Sequence, residues 1–381
     1  MSVNSEIPRP IPTTTLVGAP TLFAIILSVY FLLPSGNPLR SVLYLVPILA
    51  FGEAFRQGSR ISRTRGWAYL FTCLYFLFSA LTRGFDEYAA KETVFLLLSI
   101  LGALIPFSTF RWFPQIMLVA GVINVASLFL AGGSYSVDVS LLDSSSVGET
   151  SFGLIMPLVV IYLYTRGRLI ESLVALMIGF LMFKRIAIFG AIGVIVCDWV
   201  LLRVNRERCD GLWWPIGMTI STIIAIVGLN INYVYVLYSN LLYDVVGRRV
   251  TPNEISSGRY VLTEAFWNRV LDENTIVQWI FGGGVGRSSS GLSGIADAIG
   301  SDLVLLHNDW IRILSDYGIV GILIVCVTSS ALMSRGRLPF LCALYTLICF
   351  LTDNTLTYVS FMMALTFVAR MTEALPSEGV R

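Results

Sequence analysis

Charged side chains are scarce in this chain. Only 13% of its 381 residues are Asp, Glu, Lys or Arg, whereas soluble domains carry about 25%. Apolar residues make up 56% of the chain, and the mean hydropathy is +0.77. This composition excludes a soluble globular enzyme and a disordered or fibrous protein, and a net charge of +2 is too small to favour nucleic acid as a partner. The sequence therefore predicts a polytopic membrane protein.

Histidine and lysine are nearly absent. The single histidine, His307, excludes a metal site built from several histidines. Only Lys91 and Lys184 are lysines, so the other 24 of the 26 basic residues are arginines. Arginine binds phosphate through a planar fork, but a GC-rich genome explains the overall bias, so only the positions of particular arginines can carry function. The six cysteines lie mostly in apolar runs and predict neither a disulfide framework nor a zinc cluster.

Apolar segments recur along the whole chain. They follow a polar N-terminal tail that lacks the charged start and cleavage site of a signal peptide. Their lengths approach the roughly 17–25 residues that cross a bilayer, and they predict twelve spans, at 16–33, 39–55, 67–82, 93–110, 114–132, 151–165, 169–183, 186–202, 212–238, 318–334, 339–352 and 355–369. The predicted organisation is nine spans in 1–238, a large outer loop in 239–306, and an amphipathic helix with the last three spans in 307–381.

The basic residues follow the positive-inside rule. With the N-terminus inside, the inner loops hold most of the arginine clusters, among them Arg166 with Arg168 and Arg335 with Arg337. The acids Asp138, Asp143 and Glu149 share one outer loop. This distribution predicts that both termini are cytoplasmic.

Lys184 and Arg185 lie where two short apolar arms meet. Fifteen apolar residues precede the pair and 17 follow it, so each arm spans roughly 23–26 Å against ~30 Å of hydrocarbon. The pair is therefore predicted to lie below the outer surface, in a recess. Two interpretations stay open: two snorkelling side chains at a short hairpin, or a cationic pocket at headgroup depth.

The large outer loop has features of its own. Aromatic and aliphatic residues at helical spacing (Tyr260, Phe266, Trp267, Leu271) predict helical pieces packed on the bundle. The stretch Gly282-Gly283-Gly284-Val285-Gly286-Arg287 is either a turn whose backbone amides approach an anion or simply a flexible turn.

The stretch 302–321 predicts an amphipathic helix that enters the next span. Leu303, Leu306, Trp310 and Tyr317 fall on one stripe. His307, at the start of this helix on the outer side, is the one group of the chain suited to acid–base work near neutral pH. Taken alone, a single histidine is more often structural than catalytic.

These residues carry a resemblance to a known family. His307-Asn308 followed by Trp310-Ile311, Leu314, Tyr317-Gly318-Ile319 and Gly321 closely resembles the signature of the O-antigen polymerase/ligase superfamily. Other motifs of that superfamily follow in the expected order: Lys184-Arg185-Ile186, Ser257-Gly258-Arg259 with Trp267, and Phe281-Gly282-Gly283-Gly284-Val285-Gly286. The motifs cover mainly residues 184–321, and the first 180 residues match in hydropathy only.

The resemblance implies a fold and a chemistry. Members are bacterial inner-membrane glycosyltransferases that act on undecaprenyl-pyrophosphate-linked sugars. The implied fold is an all-α polytopic membrane protein of about 12 transmembrane helices, GT-C-like, with one large periplasmic loop containing short helices. The implied transfer uses no metal and no other cofactor, because the donor leaves as a lipid pyrophosphate.

The resemblance also implies roles for particular residues. Arg185 and Arg259 would bind the pyrophosphate with help from Lys184 and Arg287, and His307 would be the general base. Among residues of lesser weight, Asp302, Asp309 and Asp316 would orient the histidine or bind sugar, Arg312 would reach phosphate, and Asn308 would belong to the substrate site. Asp353-Asn354, in the last outer turn, would line the path of the sugar. The alternative for the acids is a solvated helix face, and for Arg312 a pairing with Asp309 or Asp316 at helical spacing.

The sequence favours a polymerase that joins repeat units of O-antigen or exopolysaccharide at the periplasmic face. The closest alternative is a ligase that moves finished glycan to a lipid A core or a protein. A transporter of lipid-linked sugars predicts inverted repeats and interrupted helices with charges at the membrane midplane. The sequence has no convincing internal repeat, and its chemistry concentrates in one outer loop. The expected partners are the undecaprenyl-pyrophosphate-linked donor and acceptor and the lipid bilayer, with room for a chain-length regulator.

Overall fold

The chain folds into helices. The computed structural model describes residues 19–33, 39, 42–43, 63–81, 107–108, 113–130, 152–182, 185–201, 213–247, 250–256, 258–299 and 306–372. Within these ranges the only strands are two residues long: β1 (Phe107–Ser108) pairs in parallel with β2 (Met371–Thr372). The predicted all-α class is confirmed. The predicted spans at 39–55 and 93–110 lie almost entirely outside the described residues.

Fifteen α-helices follow one another along the described ranges. The first half holds α1 (Ala19–Leu32), α2 (Arg63–Leu81), α3 (Phe113–Leu130), α4 (Phe152–Thr165), α5 (Leu169–Phe180), α6 (Arg185–Leu201), α7 (Trp213–Leu229) and α8 (Ile231–Val246). The outer-loop region holds α9 (Pro252–Ile255), α10 (Arg259–Phe266) with a π-helical turn (Trp267–Leu271), α11 (Ile276–Phe281) and α12 (Arg287–Ile299). The last part holds α13 (Asp309–Met333), α14 (Arg337–Cys349), a 3₁₀ turn (Thr355–Thr357) and α15 (Val359–Arg370).

Helix length and composition support a membrane protein in part. Within the described ranges, one helix, α13, is long and apolar enough to cross a bilayer, and the bent pair α7–α8 is a second if it counts as one span. Seven shorter apolar helices or helix segments, of 10–17 residues, lie in α2 to α6, α14 and α15. The number of spans therefore stays a prediction.

In the structure the predicted span at 212–238 is a bent pair of helices. The chain breaks at Asn230, and α7 and α8 are inclined by 75° to each other. Asn230 uses its side-chain amide to donate to the carbonyl of Ile226 (2.8 Å), and its backbone is not helical. A side chain that competes for backbone groups in this way disfavours a continuous helix.

The amphipathic helix predicted at 302–321 differs from the structure in where it begins and in the burial of its polar face. Helix α13 begins at Asp309, and every residue from Asp309 to Gly318 is buried, including Arg312, Ser315 and Asp316. The polar face is enclosed because the glycine turn (residues 282–286) and the start of α12 pack against it. A sequence stripe shows which face is apolar, but it does not show whether another segment covers the polar face.

Two apolar cores hold the helices together. The larger core is centred on α4, whose residues from Phe152 to Leu163 are all buried, and it includes α14 and α15. The smaller core joins the outer-loop region to the first half of α13 through residues such as Phe266, Leu271 and Leu314. The smaller core fixes the start of α13, and with it His307, against the loop region.

Helix ends that carry predicted cytoplasmic arginines meet at one end of the bundle. The guanidinium of Arg337 at the start of α14 pairs with the fully buried Asp198 near the end of α6 (Nη2–Oδ2 2.5 Å). The Tyr164 hydroxyl, at the end of α4, donates to the same carboxylate (3.1 Å). Arg166 donates to the carbonyl of Met371 in β2 (3.5 Å). Helix α13 ends near these contacts, and His307 lies just before the start of that helix, at its other end.

Candidate functional site

His307 is the residue just before the cap of α13. Its side chain is 20% exposed, and its Nδ1 lies 3.9 Å from Oδ1 of Asp353, whose side chain is almost completely buried. Within the described part of the chain Nδ1 is enclosed and makes no hydrogen bond. The imidazole thus turns Nδ1 to a buried carboxylate while a fifth of its side chain stays exposed.

Asn308 holds this segment to the end of α7. Its Oδ1 accepts from the backbone N–H of Ile311 (3.1 Å), which caps α13, and its Nδ2 donates to the carbonyl of Gly228 (2.8 Å). The next aromatic residue, Trp310, is packed so closely on Gly228 that a Cβ there would collide with the indole ring. Side-chain capping by Asn is among the most favourable ways to begin a helix. Asn308 therefore acts as an anchor beside His307.

Asp309 is completely buried and forms hydrogen bonds with the segment just before α15. Its Oδ2 accepts from the Thr355 hydroxyl (2.6 Å) and from the Leu356 N–H (3.1 Å). Its own N–H donates to the carbonyl of Phe350 (3.0 Å). Oδ1 makes no hydrogen bond among the described residues. Asp309 thus ties the start of α13 to both ends of the 350–354 turn that follows α14.

Arg259 reaches the same turn from the loop region. It is the first residue of α10, follows Gly258 at φ 83°, and is partly buried. Its Nη1 donates to the carbonyl of Thr352 (2.7 Å). A guanidinium carries five N–H donors, and within the described residues this is the only hydrogen bond of the side chain. Among the described residues, the other donors of Arg259 have no hydrogen-bond partner.

The 350–354 turn brings Arg259 and His307 together. Arg259 contacts Thr352, and His307 faces the next residue, Asp353. The carboxylate of Asp353 is itself held in place, since Oδ1 accepts from the N–H of Asn354 (2.9 Å). A cation and an imidazole that contact two consecutive residues of one turn form an arrangement that can bind an anion and move a proton at the same site.

The glycine turn does surround an anion, but the anion belongs to the protein. The Asp316 carboxylate accepts from the N–H of Gly286 (3.3 Å) and from the N–H and hydroxyl of Ser288 (2.7 and 2.9 Å). Two more amides of the turn donate to main-chain carbonyls of α13, Gly283 to Ser315 (2.8 Å) and Gly284 to Asp316 (3.2 Å). The turn therefore docks the start of α12 on α13.

Arg287 and Arg312 are both buried near this contact. Arg287 is 7% exposed, lies against Gly283, and donates from Nη2 to the carbonyl of Val270 (2.9 Å). Arg312 is 3% exposed and interacts electrostatically with Asp316, one turn further along α13. This agrees with the predicted alternative in which Arg312 pairs with an acid at helical spacing.

Three predicted site residues cannot be assigned a place. Lys184 and Asp302 lie outside the described residues, and of Arg185 only the backbone is described, as the first residue of α6. The proposed cationic recess therefore stays a prediction.

The turn that assembles the site carries little signal in the sequence. Asp353 is predicted there only as a residue that could line the path of a sugar, and Thr352 carries no chemical signal because it contributes its carbonyl. Tyr235 of α8, which interacts electrostatically with Arg259, is missed as well. A polar Asp353-Asn354 pair interrupting two apolar runs is the one signal that points to this turn.

Comparison with models of known protein families gives no match, and no curated protein matches the chain. The resemblance to the O-antigen polymerase/ligase superfamily therefore rests on the motifs of the sequence alone.

Proposed function

We propose that this protein is a membrane glycosyltransferase that extends a glycan carried on undecaprenyl pyrophosphate, as a polymerase of O-antigen or exopolysaccharide repeat units. The observation that supports this proposal best is the convergence of Arg259 and His307 on Thr352 and Asp353. The resemblance assigns one of these residues to the pyrophosphate and the other to the acceptor hydroxyl. In the proposed topology the site faces the periplasm.

The proposed reaction needs a base and an anion-binding group. His307 takes the proton of the acceptor hydroxyl on Nε2, and the acceptor oxygen bonds to the anomeric carbon of the donor sugar. The bond from that carbon to the phosphate oxygen breaks, and undecaprenyl pyrophosphate leaves with the electron pair. The free donors of Arg259 stabilise the charge that develops on the leaving group. Asp353 orients the ring through Nδ1 and stabilises the imidazolium that forms, as a carboxylate does in other histidine-based sites.

The test uses purified protein in liposomes with one defined undecaprenyl-pyrophosphate repeat unit and EDTA. We expect a ladder of products on a gel from the wild-type protein and, from His307→Ala, a rate lower by about 10²–10⁴-fold with donor binding kept. Loss of donor binding in His307→Ala would assign the residue a structural role. Inhibition by EDTA that magnesium reverses would contradict metal-free transfer.

Arg259→Lys tests the anion-binding role. We expect the rate to fall roughly 10- to 100-fold because lysine keeps the charge and loses the planar fork. The matched control is Arg269→Lys, since Arg269 is an exposed arginine of the same loop region, and this variant should keep the wild-type rate. Equal rates for the two variants would remove Arg259 from the site.

The same assay separates polymerase from ligase. A single length of product with a lipid A core or protein acceptor, and no ladder with the repeat unit alone, would indicate a ligase. No transfer to any acceptor, together with movement of the lipid-linked sugar across the bilayer, would indicate a transporter.

A further inference from the structure

Helix α11 carries an exposed apolar ridge. Ile276, Val277, Ile280 and Phe281 are 78%, 64%, 38% and 52% exposed and lie on one face of the helix. The opposite face points into the loop region, where Trp279 packs on Trp267 with ring centroids 6.1 Å apart. Four exposed large apolar side chains on a six-residue helix are unfavourable in water.

The end of α11, which carries the ridge, lies against the candidate span α13. At the kink of α13, Gly318 adopts φ 65° and ψ −167°, and a Cβ there would collide with the carbonyl of Ile280. A Cβ on Gly282, at the end of α11, would in turn collide with the carbonyl of Asp316. The backbones of α11 and α13 are therefore in direct contact at this level.

This contact lies at hydrocarbon depth in the predicted topology. Met333 ends α13 just before the predicted cytoplasmic Arg335 and Arg337. The 15 helical steps from Gly318 to Met333 span roughly 22 Å, compared with ~30 Å of hydrocarbon. Gly318 and α11 are thus placed several ångströms below the outer edge of the acyl chains.

The ridge also continues into surfaces that face away from the protein. Beyond the kink, α13 exposes Ile319, Leu323 and Val327 at a spacing of four residues (47%, 52% and 45%). On the other side, the Tyr75 hydroxyl of α2 donates to the carbonyls of Phe281 (3.2 Å) and Tyr317 (2.5 Å). Helix α2 exposes Leu74 and Phe78 near this contact.

We propose that α11 is an interfacial helix whose ridge is immersed in the acyl chains of the outer leaflet. No residue from Thr275 to Phe281 is charged, whereas Asp272 and Glu273, just before the helix, are exposed. A protein partner would match a ridge with a polar rim, whereas lipid matches an uncharged ridge that joins the exposed faces of α2 and α13. This proposal does not depend on the transfer reaction.

The test measures the surroundings of single positions in phosphatidylcholine–phosphatidylglycerol liposomes. In a chain without its six cysteines, nitroxide labels are placed at Val277→Cys, Glu273→Cys and Leu323→Cys. We expect labels at 277 and 323 to collide readily with oxygen and several-fold less with a water-soluble nickel chelate than the label at 273 does. Nickel access at 277 equal to that at 273 would overturn the proposal, and so would a label at 277 that neither reagent reaches.

A second measurement leaves the cysteines in place. The native protein is photolabelled with a phospholipid that carries a diazirine in its acyl chain, and labelled peptides are identified by mass spectrometry. Labels should occur within residues 276–281 and be absent at 272–273. Labelling of the ridge by a photoactivatable polyprenyl lipid but not by the phospholipid would overturn the proposal and assign the ridge to the lipid tail of the donor.

Discussion

The position of Asp353 beside Nδ1 determines which ring nitrogen of His307, the candidate base, can accept a proton. A carboxylate beside Nδ1 favours the tautomer that carries its proton there, and this leaves Nε2 free to accept a proton. The separation of 3.9 Å is longer than a hydrogen bond, and such contacts often shorten when substrate binds.

Asp353→Asn should therefore slow transfer without weakening donor binding. We expect the rate to fall about 10- to 100-fold, the range observed when the carboxylate partner of a metal-bound imidazole is lost. The measurement is the initial rate of ladder formation at several donor concentrations. The Asn354 N–H that Asp353 accepts can still bond the amide oxygen of Asn, so the turn should persist. An unchanged rate would leave His307 without a functional partner at position 353.

Individual residues show what the sequence could and could not predict. The motif pointed to His307 and Arg259, and the structure brings both to one turn. It could not show that Arg287 turns inward to Val270, because the spacing of a basic residue at a helix start does not determine which way its side chain lies. The motif also did not point to Thr352, because this residue contributes its main-chain carbonyl, which every amino acid has.

At the scale of elements, the contact between the glycine turn and α13 depends on two glycines, because glycine has no side chain. Gly282 and Gly318 each occupy a backbone region that is nearly exclusive to glycine, and each would collide with the backbone of the other element if it carried a Cβ. Spacing in the sequence predicted a glycine turn, but the partner of that turn could be found only from the fold.

Gly282→Ala should consequently destabilise the protein much more than Gly247→Ala. Gly247 also has a positive φ (70°), yet it has nothing within 4 Å of its Cβ position. We expect Gly247→Ala to cost about 1–2 kcal/mol from backbone strain and Gly282→Ala about 1–3 kcal/mol more from the collision. Thermal unfolding in detergent measures both as a decrease in Tm. Equal decreases would show that the two elements separate readily.

At the scale of the molecule, the two ends of the bundle differ in chemistry. One end holds the site around the 350–354 turn, and the other is held by Asp198, Arg337 and Tyr164, which link α4, α6 and α14. Apolar periodicity predicted most helices of the bundle within the described residues. It missed the break at Asn230, because one asparagine in a long apolar run changes hydropathy very little.

Arg337→Ala should lower the Tm clearly while Arg168→Ala changes it little. Both arginines form ion pairs at 2.5 Å and are about equally exposed (32% for Arg337 and 31% for Arg168), but the Asp198 side chain is fully buried, whereas Glu171 is 36% exposed. Taking the guanidinium away from a buried carboxylate costs about 1–3 kcal/mol, and removing an exposed pair costs about 0–1 kcal/mol. The double variant Asp198→Asn/Arg337→Ala should recover part of the loss, because no buried charge is left alone. A similar Tm for both single variants would contradict this account.

The anchors of the candidate site have an evolutionary consequence. Arg259, Asn308 and the N–H of Asp309 all bond to main-chain carbonyls, those of Thr352, Gly228 and Phe350. Every amino acid supplies a carbonyl, so substitutions at 350 and 352 can accumulate without removing these bonds, whereas position 228 has no room for a Cβ beside Trp310. Selection on these anchors therefore acts on the path of the backbone, and descendants of this gene can change residue 352 while keeping Asp353 and the geometry around His307.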